Sequence, residues 1–115
     1  TLALLLATAV VAQTPDEKKA TLAYLQSLQT ETGGFRLEAG AREPSLRATS
    51  AALRAIRYFG GSAAKKDDLR AFVEKCRGKE GGFADTPGGE AGVVLTAVGL
   101  MAGAELGLAW ARKDG

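Results

Sequence analysis

The chain has 115 residues, with 15 Lys and Arg against 13 Asp and Glu, a formal net charge of +2 and no histidine. That length suits one domain with a modest core, and the scattered basic residues, with no interleaved aromatics, argue against nucleic acid as a partner. The missing histidine removes the usual general base and the commonest nitrogen ligand for zinc, while the lone Cys76 excludes an intramolecular disulfide and reads as a small core residue on an apolar helix face.

Residues 1–14, TLALLLATAVVAQT, are uncharged and nearly all apolar. The run is shorter than the ~20 residues that span a bilayer. It matches the apolar heart of a secretory signal, with Val10 and Ala12 as the small residues before a cut after Ala12. The charged start of such a signal is missing, so the tail of a buried helix from an upstream part is the competing reading. The expectation is a clipped signal on an exported protein, cytoplasmic if the run is no signal, with residues 1–14 left out of the fold.

Pro15, Asp16 and Glu17 open the first helix, since Pro suits the first turn and acids face the positive dipole end. Leu22, Leu25 and Leu28, with Tyr24 beside them, build its face, and Gly33 is expected to end it in a left-handed conformation. After Pro44, Leu46, Thr49, Leu53 and Ile56 lie three, four and three apart, which predicts a second helix with one buried stripe, stopped by Gly60 and Gly61. In the next unit Asp67 and Asp68 open a helix whose face is Leu69, Phe72, Val73 and Cys76. Gly81, Gly82 and Phe83 then fall 48 positions after Gly33, Gly34 and Phe35. Beyond them the offset becomes 47, pairing Thr49 with Thr96, Leu53 with Leu100, Ala55 with Ala102 and Gly60 with Gly107. One deleted residue in the loop explains the slip, and a period of this length marks stacked supersecondary units. The fold class is all-α, with tandem helical hairpins: residues 15–62 form one unit, 63–107 a second, and 108–115 a further start or a terminus.

In AGVVLTAVGLMAGAELGLAW, Gly99, Gly103 and Gly107 recur every four residues, as in packed membrane helices. Only 14 uncharged residues precede Glu105, too few to span. The stretch is therefore expected to be a buried inner helix that neighbouring helices approach at the glycines. Two hairpins cannot surround such a helix, so more repeats are expected after Gly115. Residues 13–115 alone are expected to be marginally cooperative and to associate.

A helix ending in LQSLQTETGGF, followed by EPSLRATSAALRAI, resembles the repeat of the α/α-toroid superfamily: protein prenyltransferase β subunits, squalene and related terpene cyclases and, more distantly, thioester domains of complement and α-macroglobulin proteins. Gln29, Gly33, Gly34 and Phe35 match the element that closes an outer helix in that superfamily, and Pro44, Leu46, Thr49 and Leu53 match the start of an inner one. The second unit keeps Gly81, Gly82, Phe83, Thr96 and Leu100, but has Arg77 for the Gln and Ala91 for the Pro. The likeness covers residues 17–107, about two repeats of a closed ring, and implies a partial α/α toroid.

By the same resemblance the protein is the N-terminal part of a prenyltransferase-like toroid that binds an isoprenoid. The alternatives are a secreted, non-catalytic toroid or helical-repeat scaffold that binds another apolar ligand or a protein, and a terpene cyclase-like enzyme. Prenyltransferases hold zinc with Asp, Cys and His and carry Asp-x-Arg near the lipid diphosphate, where this chain has Glu43-Pro44-Ser45 and Glu90-Ala91-Gly92. Lys66-Asp67-Asp68 is not the Asp-x-Asp-Asp acid of cyclases and serves the helix dipole. No catalytic residue, metal ligand or cofactor is expected in this stretch, zinc being implied only for a full-length relative, and the chain is not expected to be an integral membrane protein. The ligand candidates are Arg42 and Arg47, with Glu43 as a local ion partner, and Thr49 and Thr96, whose hydroxyls are expected to return to the backbone four residues earlier. The doubled Gly-Gly-Phe itself is expected to turn the chain and to place each Phe in the seam between hairpins.

Overall fold

Thr14 caps the first helix through a reciprocal pair of bonds: its hydroxyl accepts from the Glu17 N–H at 3.1 Å, and its own N–H donates to Glu17 Oε1 at 3.2 Å. Helix α1 then runs Pro15–Ser27 in the computed structural model, which describes residues 13–111. The cap is thus the last residue of the segment assigned to a leader. Residues 1–12 of that segment lie outside the described residues.

Leu28 ends α1 in a right-handed conformation, well before Gly33. The expectation that Gly33 caps the helix is corrected. The Leu28 and Gln29 N–H groups turn back to the Leu25 and Gln26 carbonyls, and the chain then folds onto itself. Gly33, at φ +94°, donates to the Thr30 carbonyl at 3.0 Å, while the Thr30 N–H reaches Gly34 and the Arg36 N–H reaches Leu28. The second unit repeats these bonds: Gly81, at φ +95°, donates to Gly78, Gly78 to Gly82, and Ala84 to Cys76.

Helix α2, Leu46–Tyr58, starts at Ser45, whose hydroxyl accepts from the Ala48 N–H at 3.1 Å. Leu46, Thr49, Leu53 and Ile56 are all buried, as their spacing predicts. Its end is closed by the Gly60 N–H on the Arg57 carbonyl and the Gly61 N–H on the Ile56 carbonyl. Helix α3, Lys66–Lys75, has no side-chain cap; Asp67 and Asp68 occupy its first turn, where the dipole favours them. It buries Leu69, Phe72 and Val73, with Cys76 at its end. Helix α4, Val93–Glu105, closes as α2 does, with Gly107 donating to Ala104 and Leu108 to Gly103, before a 3-10 turn at Ala109–Ala111.

Helices α2 and α4 pack side by side as the inner pair, with α1 against α2 and α3 against α4. One apolar core runs through both hairpins, with Phe35, Leu46, Ile56, Leu69, Val73 and Phe83 essentially fully buried. Each such side chain contributes about 1.5–3 kcal/mol by leaving water.

The expectation for α4 needs correction. Among the described residues helix α2 is its one inner neighbour, and its glycines receive aromatic rings: the ring of Phe83 lies on Gly99 and that of Trp110 on Gly103. Val93, Val94, Leu100 and Met101 face solvent. A Gly-x-x-x-Gly spacing opens a notch, and here a loop and the 3-10 turn reach the notch first.

Candidate functional site

The residues that carry the repeat pattern form one hydrogen-bonded unit in each hairpin. The Thr49 hydroxyl donates to the Ser45 carbonyl at 2.7 Å and accepts from the Phe35 N–H at 2.9 Å. The Thr96 hydroxyl does the same between the Gly92 carbonyl, at 2.6 Å, and the Phe83 N–H, at 3.0 Å. The return bonds match the sequence reading; the bonds from Phe35 and Phe83 were not foreseen. Their one sequence trace is that Phe and Thr stand 14 apart in one unit and 13 in the other, so each Gly-Gly-Phe keeps its threonine although the one-residue slip falls between them. Thr49 is fully buried with its donor used, which leaves it nothing to offer a ligand. Gln29 adds a clamp, Nε2 donating to the Gly33 carbonyl at 3.0 Å and the Ala64 carbonyl at 2.8 Å. At the matching position Arg77 lies over the Trp110 ring, 5.1 Å from its centroid.

Arg47 pairs with Asp85 of the second hairpin, not with Glu43: Nη2 and Nε reach Asp85 Oδ2 at 3.0 and 3.3 Å. The cause lies in α2, whose first N–H groups lack helical partners. Asp85 supplies acceptors for two of them, its Oδ1 for Arg47 at 3.0 Å and its backbone carbonyl for Leu46 at 2.7 Å. Arg42 stays exposed in the loop, and it is the Arg36 guanidinium that binds the loop carbonyls of Ala39, Ala41 and Ser27. Burial pushes the Asp85 carboxyl up, but the Arg47 side chain and the Arg47 and Leu46 N–H groups outweigh it, so the group sits below its ordinary value.

That depression sets a pH signature. A carboxyl held low in the fold adds stability above its unfolded pKa of about 3.9 and loses it as pH falls through the folded value. Asp85→Asn should cost about 1 kcal/mol, since the amide keeps an oxygen for the Arg47 N–H but loses the charge that Arg47 and the start of α2 favour. In urea melts the gap to the parent should be constant between about pH 7 and 5 and should close as pH falls below about 4. A gap unchanged at low pH would show that the charge is not the cause.

Among the grooves formed by the described residues, two lie beside the residues discussed above. One, about 670 Å³, lies on the inner pair and is lined by Ala51, Arg54, Ala55, Arg57, Tyr58 and Glu105, with Arg57 Nη1 bonded to Glu105 Oε2 at 3.1 Å. Ala97 and Met101 of α4 are exposed and stand eight and four residues before Glu105, so by helical spacing they share the face of α4 that carries Glu105. The other, about 510 Å³, runs between the first loop and the second hairpin past Thr32, Pro44, Phe72, Lys75, Thr86 and Pro87.

The donor chemistry does not fit the zinc of catalytic toroids. The chain has no histidine, and burial, with the charge of Asp85 adding to it, pushes the Cys76 thiol up to about 12. A thiol so held is not a nucleophile at neutral pH. Among the described residues no three His, Cys, Asp or Glu side chains come together as a metal site. Nor is any helix among them long and apolar enough to cross a membrane.

An inner and an outer layer of helices, joined by Gly-Gly-Phe turns that a threonine ties to the inner helix that follows, define a helical-hairpin array of the α/α-toroid class. The family model described as "Prenyltransferase alpha-alpha toroid domain" matches residues 1–113, and the chain belongs to that family. No curated protein matches it.

Proposed function

We propose that this chain is a stretch of toroid wall that binds an apolar ligand, an isoprenoid or similar chain, without supplying catalytic groups. The observation that carries the reading is the inner pair itself, whose open face presents Ala51, Ala55, Ala97 and Met101 beside Arg54. Apolar side chains with one cation suit a long hydrocarbon that ends in a polar or anionic head. The polar groups best placed for chemistry are already engaged: Thr49 with the backbone, and Arg47 with Asp85. Any transferase or cyclase step therefore falls to groups other than those described. Export belongs to the proposal only through residues 1–14, and the family match takes that segment in from residue 1.

Farnesol titrated into the full chain, followed by calorimetry, tests the reading. Saturable binding is expected, with Met101→Glu weakening it about tenfold or more by placing a charge in the apolar face. Absence of saturable heat up to the solubility limit, or binding indifferent to Met101→Glu, removes the proposal.

A further inference from the structure

The inner pair shows how one inner helix of this array meets the next. Leu53, Ile56 and Arg57 of α2 close with Glu105 and Leu106 of α4 around a cavity of about 130 Å³, and Arg57 Nη1 bonds Glu105 Oε2 at 3.1 Å. Leu106 and, one turn earlier, Ala102 are buried there. The counterparts on α2, 47 positions earlier, are less covered: Ala55 and Phe59 are half-buried, and Tyr58, in the place of Glu105, is 84% exposed. Helix α1 shows the same deficit. It buries no residue, whereas α3 buries Leu69, Phe72 and Val73, and Leu25, in the place of Val73, is half-buried.

The frame that sets Gly33 on Gly81 also sets residues 1–12 on 49–60. Thr1, Leu5 and Ala7 fall on Thr49, Leu53 and Ala55, which fall in turn on Thr96, Leu100 and Ala102, so Thr-x-x-x-Leu-x-Ala is written three times. Leu5, Thr8 and Ala9 thus stand where α2 presents Leu53, Ile56 and Arg57. The ion pair is replaced on both sides at once, Ala9 standing for Arg57 and Tyr58 for Glu105. Residues 1–12 carry no charge, so seating them on α2 strands none. A helix ending at Val10, the counterpart of Tyr58, leaves residues 11–14 to reach the start of α1, a usual length for a connection between helices. Ala12 departs from the glycine found at 60 and 107, and the connection is also shorter than the 59–65 link. The family match begins at residue 1 as well.

We propose that residues 1–12 are the inner helix of a preceding hairpin and dock on the open side of α2, in the register that α2 and α4 take, with Leu5, Thr8 and Ala9 against Tyr58 and Phe59. The apolar run is then a piece of toroid wall and not a leader. The inference does not rest on the ligand reading: the segment takes the edge of the groove at Ala55 and Tyr58 and leaves Arg54 and Met101 open.

Amide exchange on the full chain, without added ligand, tests it. So short a helix is marginal when free in water, and protection of residues 5–10 therefore reports docking. Exchange there should be slowed by about 100-fold or more. Leu5→Arg should abolish the protection by setting a charge against Tyr58 and Phe59. Leu6→Arg should keep it, since Arg54 and Met101 are exposed at the matching positions. Tyr58→Glu should lower protection severalfold, and adding Ala9→Arg should recover part of it by remaking the pair seen between Arg57 and Glu105. Unprotected amides at residues 5–10 overturn the proposal, as do equal effects of Leu5→Arg and Leu6→Arg. Protection that appears only as the concentration rises from about 1 to about 100 µM also overturns it, by putting a second copy on the face.

Discussion

Gly33→Ala should destabilise the protein by about 3–5 kcal/mol, while Gly81→Ala should cost about 1–2 kcal/mol. The two glycines have nearly the same backbone, φ +94° and +95°, so the strain of a side chain in the left-handed region is common to both. They differ in what a Cβ would meet. At Gly33 it would sit 2.5 Å from the Asp68 carbonyl carbon and against the Leu69 nitrogen, backbone atoms at the start of α3 that cannot swing aside. At Gly81 it would enter open space. The difference between the two variants, read from urea melts at low protein concentration, isolates the hairpin-to-hairpin contact from the turn. Equal losses would mean that α3 moves away freely and that the junction contributes little.

Thr49→Val should cost about 2–3 kcal/mol, because it keeps the shape of the side chain while leaving the buried Phe35 N–H without an acceptor. Ser45 loses less, since its carbonyl also accepts the Thr49 N–H at 2.9 Å. Thr96→Val should cost about 1–2 kcal/mol, less than Thr49→Val because Thr96 is half-buried where Thr49 is fully buried, although the Phe83 N–H it serves is buried too. Thr49→Ser should restore most of the loss. Amide exchange at Phe35 is the sharper measurement: it should speed up in Thr49→Val and stay slow in Thr49→Ser. Exchange unchanged in Thr49→Val would show that the bond does not hold the loop.

Leu46, Thr49, Leu53 and Ile56 announced α2 by spacing alone, because a buried stripe on a helix needs nothing but the period of the helix. The repeat was equally legible, since Gly-Gly-Phe and the later threonine recur together. The capping pair Thr14 and Glu17 is legible in the sequence as Thr-x-x-Glu, but it straddles the boundary between the apolar run 1–14 and the first helix. Asp85 was not legible: its role depends on lying beside the start of α2, 38 positions earlier, and no local pattern encodes that proximity.

The candidate groove divides in the same way. That the chain lacks histidine and carries a single cysteine was plain from composition, and so was the poor fit to a zinc site. Which ligand candidates were already engaged depended on packing. Thr49 meets Phe35 because the loop folds back onto α2 within its own hairpin, and Arg47 meets Asp85 because the two hairpins close on each other.

By itself, then, the sequence determined helix periodicity, the doubled unit and its likeness to a toroid repeat, all of which follow from interactions within a few residues or from direct self-comparison. Only the tertiary structure decided that Gly99 and Gly103 receive aromatic rings, that Asp85 supplies acceptors to a helix of the other hairpin, and which apolar side chains stay in water. Those outcomes turn on which surface arrives first at a notch, an unsatisfied N–H or an exposed face, and that depends on contacts between residues far apart in the chain.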